Sequence, residues 1–274
     1  MGLSVYQIYY NDQTKEMLDP GFLPVYNQVD SVRFPLFEYP AIFKCLEEAG
    51  FDSKDYFGCF SPRFFEKTAI SSKEVIERIC GDYDLYSFSP YFDQSALFEN
   101  SFIQGDIHHP GFIGVAREAL RMLGFQSHLA ESIQSSEQII FSNFFVARRW
   151  VFDRWRSAVT RLFDLCMVEG EANRRKELLD NTSHRGIRGT PMFIFMAERL
   201  ISILLMTDLS HIKVKVFQDL QLKSIANDRV RRFIEPSYLC QLDRLKNEYL
   251  RHDNLESLTE YQRLRAGLMA RLRI

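Results

Sequence analysis

The stretch YFGCFSPRFFEKTAISSKEVIERICGDYDLYSFSP, Tyr56–Pro90, carries the reading of the fold. Tyr56–Phe60 (YFGCF) and Leu85–Ser89 (LYSFS) are short, continuous apolar runs, as expected of strands buried on both faces. Each is closed by a Ser-Pro turn signal, Ser61-Pro62 and Ser89-Pro90. Between them Ser71 and Ser72 precede Lys73–Cys80, with Glu74 in the first turn, which predicts an N-capped helix. Upstream, Val5–Tyr10 (VYQIYY) reads as a first strand. Phe37–Glu48 reads as a helix with Gly50 just past its end. The order β, α, β, α, β predicts a mostly parallel sheet with helices on its faces.

Working outward, Thr14–Leu18 reads as one helical turn, and the stretch from Asp19 to Pro35 as a long packed loop. Phe92–Gln104 and Pro110–Leu123 read as helices, Ile139–Phe145 as a strand, and Arg149–Cys166 as an amphipathic helix. Glu169–Thr190 is polar and reads as a loop. Pro191–Met206 reads as a buried helix with proline at its start. Val214–Phe217 is a short strand, and Pro236–Ile274 is helical. The predicted organisation is an α/β domain over residues 1–235 and a helical extension over 236–274.

The chain has 274 residues, 46% of them hydrophobic and 26% charged, so it can bury a sizeable core. The 24 phenylalanines and 12 tyrosines exceed what a core alone needs, leaving rings for a cleft or an interface. A net charge of −2 gives no reason to expect nucleic acid. The five cysteines are scattered, odd in number and contain no C-x-x-C pair, which predicts free thiols in a reducing compartment. The N-terminal MGLSVYQIYY lacks a basic and then apolar leader pattern. Pro191–Thr207, the most apolar run, is too short and too charged to span a bilayer. The expectation is a cytoplasmic protein, able to work at the inner face of a membrane.

Ligands of open α/β sheets bind beyond the carboxyl ends of the strands. That rule collects Tyr10, Asn11 and Asp12 after the first strand, Ser61, Arg63 and Lys67 after the second, and Ser89 and Tyr91 after the third. Arg63 and Lys67 suit a diphosphate, or else form a solvated basic pair. Asp82-Tyr83-Asp84 is a D-x-D triplet that could share one hard cation, Mg2+ or Mn2+. It precedes its strand, at the wrong end for that rim, so no metal ligand is assigned. Glu99–Phe112 (ENSFIQGDIHHPGF) is the densest polar cluster. Within it Asp106 and His109 could supply a general base, or could serve only a loop and a helix cap. Asn143 follows apolar Ile139–Phe141 and is placed to bond a sugar hydroxyl or a backbone turn. Glu198 and Arg199 interrupt an apolar helix, where charges need a partner or a polar cavity. The chain contains no GxSxG, Walker, GxGxxG or HExxH signature.

In order, these segments resemble bacterial cell-surface polysaccharide glycosyltransferases of the O-antigen and capsule type. Tyr6–Asn11 (YQIYYN) with Leu18–Asn27 (LDPGFLPVYN) is similar to their first strand and donor loop. Phe37–Thr68 is similar to a stretch of Glu, helix, then Tyr-x-Gly-x-x-Ser/His-x-Arg. Asp84–Pro90 and Gln104–Gly111 resemble later loops. Ser142–Trp150 (SNFFVARRW) and Phe195–Leu200 (FMAERL) resemble an Asn-aromatic strand followed by a helix bearing Glu-Arg. The resemblance covers roughly Val5–Leu205. It implies a GT-A-like, Rossmann-type fold and transfer of a sugar from a nucleotide-sugar donor, a UDP-sugar first among them. The implied acceptor is a hydroxyl of a growing or lipid-linked glycan, with association at the membrane periphery. On that reading Tyr10, Asn11, Ser61, Arg63, Lys67, Ser89, Asn143 and Arg199 face the donor, Asp106 and His109 serve the acceptor side, and Glu198 lies near the sugar. The family's D-x-D after a strand is not evident here, which puts metal dependence in doubt. The alternative is a non-catalytic scaffold or pseudo-enzyme of a polysaccharide assembly complex, with the C-terminal helices as its contact surface. A different nucleotide-using enzyme, such as a phosphotransferase, is a third reading.

Overall fold

Central strands buried on both faces build the sheet. The computed structural model describes residues 2–27, 38–48, 50, 52–167, 178–179, 181–184, 187–225 and 228–272. Its strands are β1 (Leu3–Tyr9), β2 (Leu23–Tyr26), β3 (Tyr56–Phe60), β4 (Leu85–Ser87), β5 (Phe145–Arg148), the pair β6 (Asn181–His184) and β7 (Ile187–Pro191), and β8 (Val214–Val216). Six of them form one sheet in the order β2-β1-β3-β5-β4-β8, while β6 and β7 form a separate antiparallel hairpin. Within the larger sheet β5 alone runs against the others. Tyr56, Phe60, Tyr86 and Val146 pack on one face; Phe57, Cys59, Leu85, Phe145 and Ala147 pack on the other. Gly58 lets β5 come close, since a Cβ there would lie 2.7 Å from the Val146 side chain.

The helices are α1 (Asp12–Lys15), α2 (Tyr39–Glu48), α3 (Phe64–Thr68), α4 (Ser72–Glu77), α5 (Phe92–Leu97), α6 (Ser101–His108), α7 (Phe112–Leu123), α8 (Arg149–Met167), α9 (Met192–Met206), α10 (Gln218–Gln221), α11 (Asp228–Phe233), α12 (Pro236–His252) and α13 (Leu255–Leu272). The face bearing Phe57 and Leu85 carries α2, α7, α8 and α9, with Trp155 fully buried at its centre. The opposite face carries Phe64 of α3 and Val75 of α4. A third apolar cluster joins α5 to α12 and α13. There the Lys246 ammonium donates to the carbonyls of Ser95 and Phe98, and the Tyr261 hydroxyl donates to Leu97 O at 3.2 Å. Helices of the 236–274 extension therefore share a core with α5 of the preceding α/β region. None of the five cysteines is joined in a disulfide. Among the described residues no helix is long and apolar enough to cross a membrane.

The structure thus has the expected α/β layout, a sheet flanked by helices with a helical C-terminal part, but the sheet is mixed. The strand expected at Ile139–Phe145 begins only at Phe145, because Ser142 (φ 59°) and Asn143 (φ 56°) are both left-handed and take the chain out of the extended region. The strand then turns back and enters the sheet antiparallel. The helix expected over Phe92–Gln104 is two helices. Phe98 is extended, and the Asn100 side chain accepts from the amides of Phe102 and Ile103 at 2.9 and 2.7 Å, starting α6 afresh. The expected loop after Asp19 contains β2, whose exposed edge position hides the apolar pattern. Helix α3 was likewise not legible. Residues 28–37 and most of the expected Glu169–Thr190 loop lie outside the described residues, apart from short pieces that include the β6–β7 hairpin.

Candidate active site

The carboxyl ends of β1 and β3 open into a cleft with about 180 Å³ of free space. It is lined by Tyr10, Glu38, Tyr39, Ser61, Pro62, Arg63, Lys67, Ser142, Asn143, Ile194 and Glu198. Each wall has a local cause. Tyr10 ends β1, and its amide donates to Thr14 Oγ1 at 2.8 Å within the capping box that Asn11 makes for α1. Buried Gln7 ties two loops together. Its amide nitrogen donates to the carbonyls of Ser61 (3.3 Å) and Pro62 (3.4 Å), and its amide oxygen accepts from Asp19 N at 2.8 Å. The back wall comes from Glu38 and Tyr39 at the start of α2, and from Ile194 and Glu198 on α9.

The hydrogen bonds inside the cleft are unevenly distributed. The Tyr10 hydroxyl donates to Glu38 Oε1. The Tyr39 hydroxyl donates to Ile194 O at 3.5 Å and accepts from Asn143 Nδ2 at 3.4 Å. The carboxamide oxygen of Asn143 is buried and has no partner. A buried acceptor left unpaired costs about 1–3 kcal/mol, and here it sits on a left-handed residue in the cleft wall. Lys67 Nζ donates to Ser142 Oγ at 3.0 Å and lies 5.4 Å from the Phe144 ring centroid. Arg63 is held at the mouth by a two-pronged pair with Glu66, at 2.8 and 2.6 Å.

Both carboxylates are hard to ionise. Burial pushes the Glu38 carboxyl up, partly offset by the Tyr10 hydrogen bond and the Lys67 charge. Burial pushes Glu198 up as well, offset in part by Arg199 and then Lys67. Burial also keeps the Tyr10 and Tyr39 phenols protonated. Paired acidic groups with raised values beside a cation, at the strand ends of an α/β sheet, are a common setting for acid–base chemistry. A larger depression of about 660 Å³ runs beside β8, lined by residues such as Arg78, Tyr83 and Asp219, and is more open.

Of the residues singled out from sequence, the cleft brings together Tyr10, Ser61, Arg63, Lys67, Asn143 and Glu198. Asn11 sits beside it as an exposed helix cap. Ser89 is buried, its hydroxyl accepting from Phe141 N at 2.8 Å, and supports the Ser142–Asn143 turn rather than lining the cleft. Arg199 points away, into the core. It donates to Ser101 O (2.9 Å), Phe195 O (2.9 Å) and Gln104 Oε1 (3.1 Å), and lies over the Phe112 ring. Its neighbour Glu198 faces the cleft, 4.0 Å away from it. Asp106 accepts from Ile113 N at 3.0 Å at the start of α7, and His109 is buried with its ring stacked 3.8 Å from that of Phe195. Neither lines the cleft. Asp84 pairs with Arg148 at 3.3 Å and accepts from Lys213 N at 3.0 Å, and Asp82 lies near Cys80. The described residues contain no group of side chains arranged to hold a metal ion.

Glu38, Tyr39 and Gln7 were not singled out from sequence. Glu38 carried a signal: an acidic residue directly before an apolar helix, in the segment that bears the resemblance. Gln7 carried none, being one polar residue inside an apolar strand. Comparison with family models, curated proteins and solved structures finds no match to this chain.

Proposed function

We propose that the protein is a glycosyltransferase of GT-A-like fold that takes a sugar from a nucleotide-sugar donor and passes it to a hydroxyl of a surface glycan. The observation that carries this reading is the cleft itself. It lies at the carboxyl ends of β1 and β3, where α/β sheets receive nucleotides, and it gathers two hard-to-ionise carboxylates, a lysine, an arginine and the unpartnered carbonyl of Asn143. Arg63 and Lys67 are the residues suited to the diphosphate, and Glu38 and Glu198 those suited to hydroxyl groups and proton transfer. Asp106 and His109 become supporting residues of α7 and α9 in this proposal. The resemblance of roughly Val5–Leu205 to polysaccharide glycosyltransferases supports the same reading. Work at the cytoplasmic face of a membrane, on a lipid-linked acceptor, belongs to the same proposal.

The test is a melting screen with UDP-, GDP-, CMP- and dTDP-sugars. A ligand at 100 times its dissociation constant adds about 2.7 kcal/mol of stability. One nucleotide class is expected to raise Tm and to release free nucleotide, seen by mass spectrometry, when a glycan acceptor is present. No shift with any member of the panel overturns the reading.

A further inference from the structure

Among the described residues the phenol and amide donors at the back of the cleft are committed, while its carboxylate oxygens are left open. The phenol of Tyr10 is committed to Glu38, that of Tyr39 to Ile194 O, and the amide nitrogen of Asn143 to Tyr39. Lys67 gives one of its three N–H groups to Ser142 and keeps two, and the hydroxyls of Ser61 and Ser142 in the lining keep their O–H groups. The open acceptors are the second oxygen of Glu38 and both oxygens of Glu198, which lies 4.0 Å from Arg199. Arg63, the other cation of the lining, is neutralised by Glu66 at the mouth.

We infer that this cleft holds the glycosyl ring of the donor, not its base or its diphosphate, and that it selects a neutral or amino sugar over an anionic one. A polyhydroxyl ring brings donors to the open carboxylates: its O–H groups can bond Glu38 and Glu198 together. An anionic sugar would add a third carboxyl group beside two that burial already makes hard to ionise, with Lys67 the cation of the lining not held by a carboxylate. A free volume of about 180 Å³ suits one ring, which leaves the diphosphate to run out past Lys67 and Arg63. The ring assignment rests on the glycosyltransferase reading, which supplies the nucleotide handle.

The test uses the full chain and two donors on whichever nucleoside diphosphate binds. For uridine these are UDP-glucose and UDP-glucuronic acid, which differ only in a CH2OH against a carboxylate, with UDP alone as reference. Titration calorimetry is expected to give at least tenfold tighter binding of the neutral sugar. Glu198→Gln is expected to weaken the neutral donor about tenfold, to leave UDP unchanged and to narrow the discrimination. Glu38→Gln, which keeps the size of the side chain, is expected to act in the same direction, with melting no lower than wild type confirming that both variants fold. Equal binding of the two sugars, or loss of UDP binding in Glu198→Gln, overturns the ring assignment while leaving the donor reading intact. Failure of every nucleotide and nucleotide sugar to bind the wild type overturns both.

Discussion

Glu198 and Arg199 are neighbours in sequence with opposite surroundings, and replacing each tests that division. Arg199→Leu removes a buried cation that donates to Ser101 O, Phe195 O and Gln104 Oε1. Both carbonyls sit inside helices and keep a backbone partner, so the main losses are charged hydrogen bonds and the counter-charge to Glu198. A hydrogen bond to a charged group contributes about 1.5–3 kcal/mol. With part of the guanidinium volume refilled by leucine, about 3 kcal/mol is expected, or roughly 6–12 °C in Tm at about 2–4 °C per kcal/mol. Donor affinity below the melting transition is expected to stay within about twofold, because Arg199 does not line the cleft. Glu198→Gln is expected to do the reverse, holding or raising Tm while weakening donor binding. Differential scanning fluorimetry with and without donor reads both quantities in one experiment. An Arg199→Leu variant that melts like wild type but loses donor would refute the assignment of this side chain to the core.

Glu198 should also give stability a distinct pH dependence. Its folded value is raised, so its contribution is fully present below the unfolded value near 4.5 and is lost as pH rises through the folded value. Tm measured from pH 4 to pH 8 is expected to show Glu198→Gln matching wild type at the acid end and exceeding it at the alkaline end; parallel curves would contradict the raised value. Gln7→Leu removes the bonds to Asp19 N, Ser61 O and Pro62 O, and is expected to cost about 1–3 kcal/mol in urea melts and to weaken donor binding through the loosened rim. Gly105→Ala would place a methyl 2.8 Å from the Phe112 ring and 3.2 Å from Arg199, and is expected to destabilise by about 1–3 kcal/mol without altering affinity. Asp84→Ala is expected to lower Tm by releasing Arg148 and Lys213 N, with donor affinity unchanged in either the presence or the absence of Mg2+.

Much of the α/β layout was legible because its signals are local. The apolar runs at Tyr56–Phe60 and Leu85–Ser87, the Ser71–Glu74 capping box and the glycine after α7 each act within a few residues. The direction of β5 was not, because strand orientation depends on where the chain comes from. What reverses it is a pair of left-handed residues, Ser142 and Asn143, with no glycine to announce them. The site divides in the same way. The rim rule found Tyr10, Ser61, Arg63 and Lys67, since each follows a strand directly. Glu38 and Tyr39 reach the cleft from the start of α2, a placement only the tertiary structure sets. Asp106 and His109 looked catalytic because polar residues crowd there in sequence, yet they serve the start of α7 and the packing of α9. The adjacent Glu198 and Arg199 looked like one pair and turn out to face opposite ways along α9.

The measurement that bears most directly on the central claim is a crystal structure of the chain soaked with the nucleotide sugar that raises its melting temperature. The account predicts density for the sugar ring among Glu38, Asn143 and Glu198, with the diphosphate beside Lys67 and Arg63. Density in the depression beside β8, or a cleft left empty while nucleotide binds elsewhere, would contradict it.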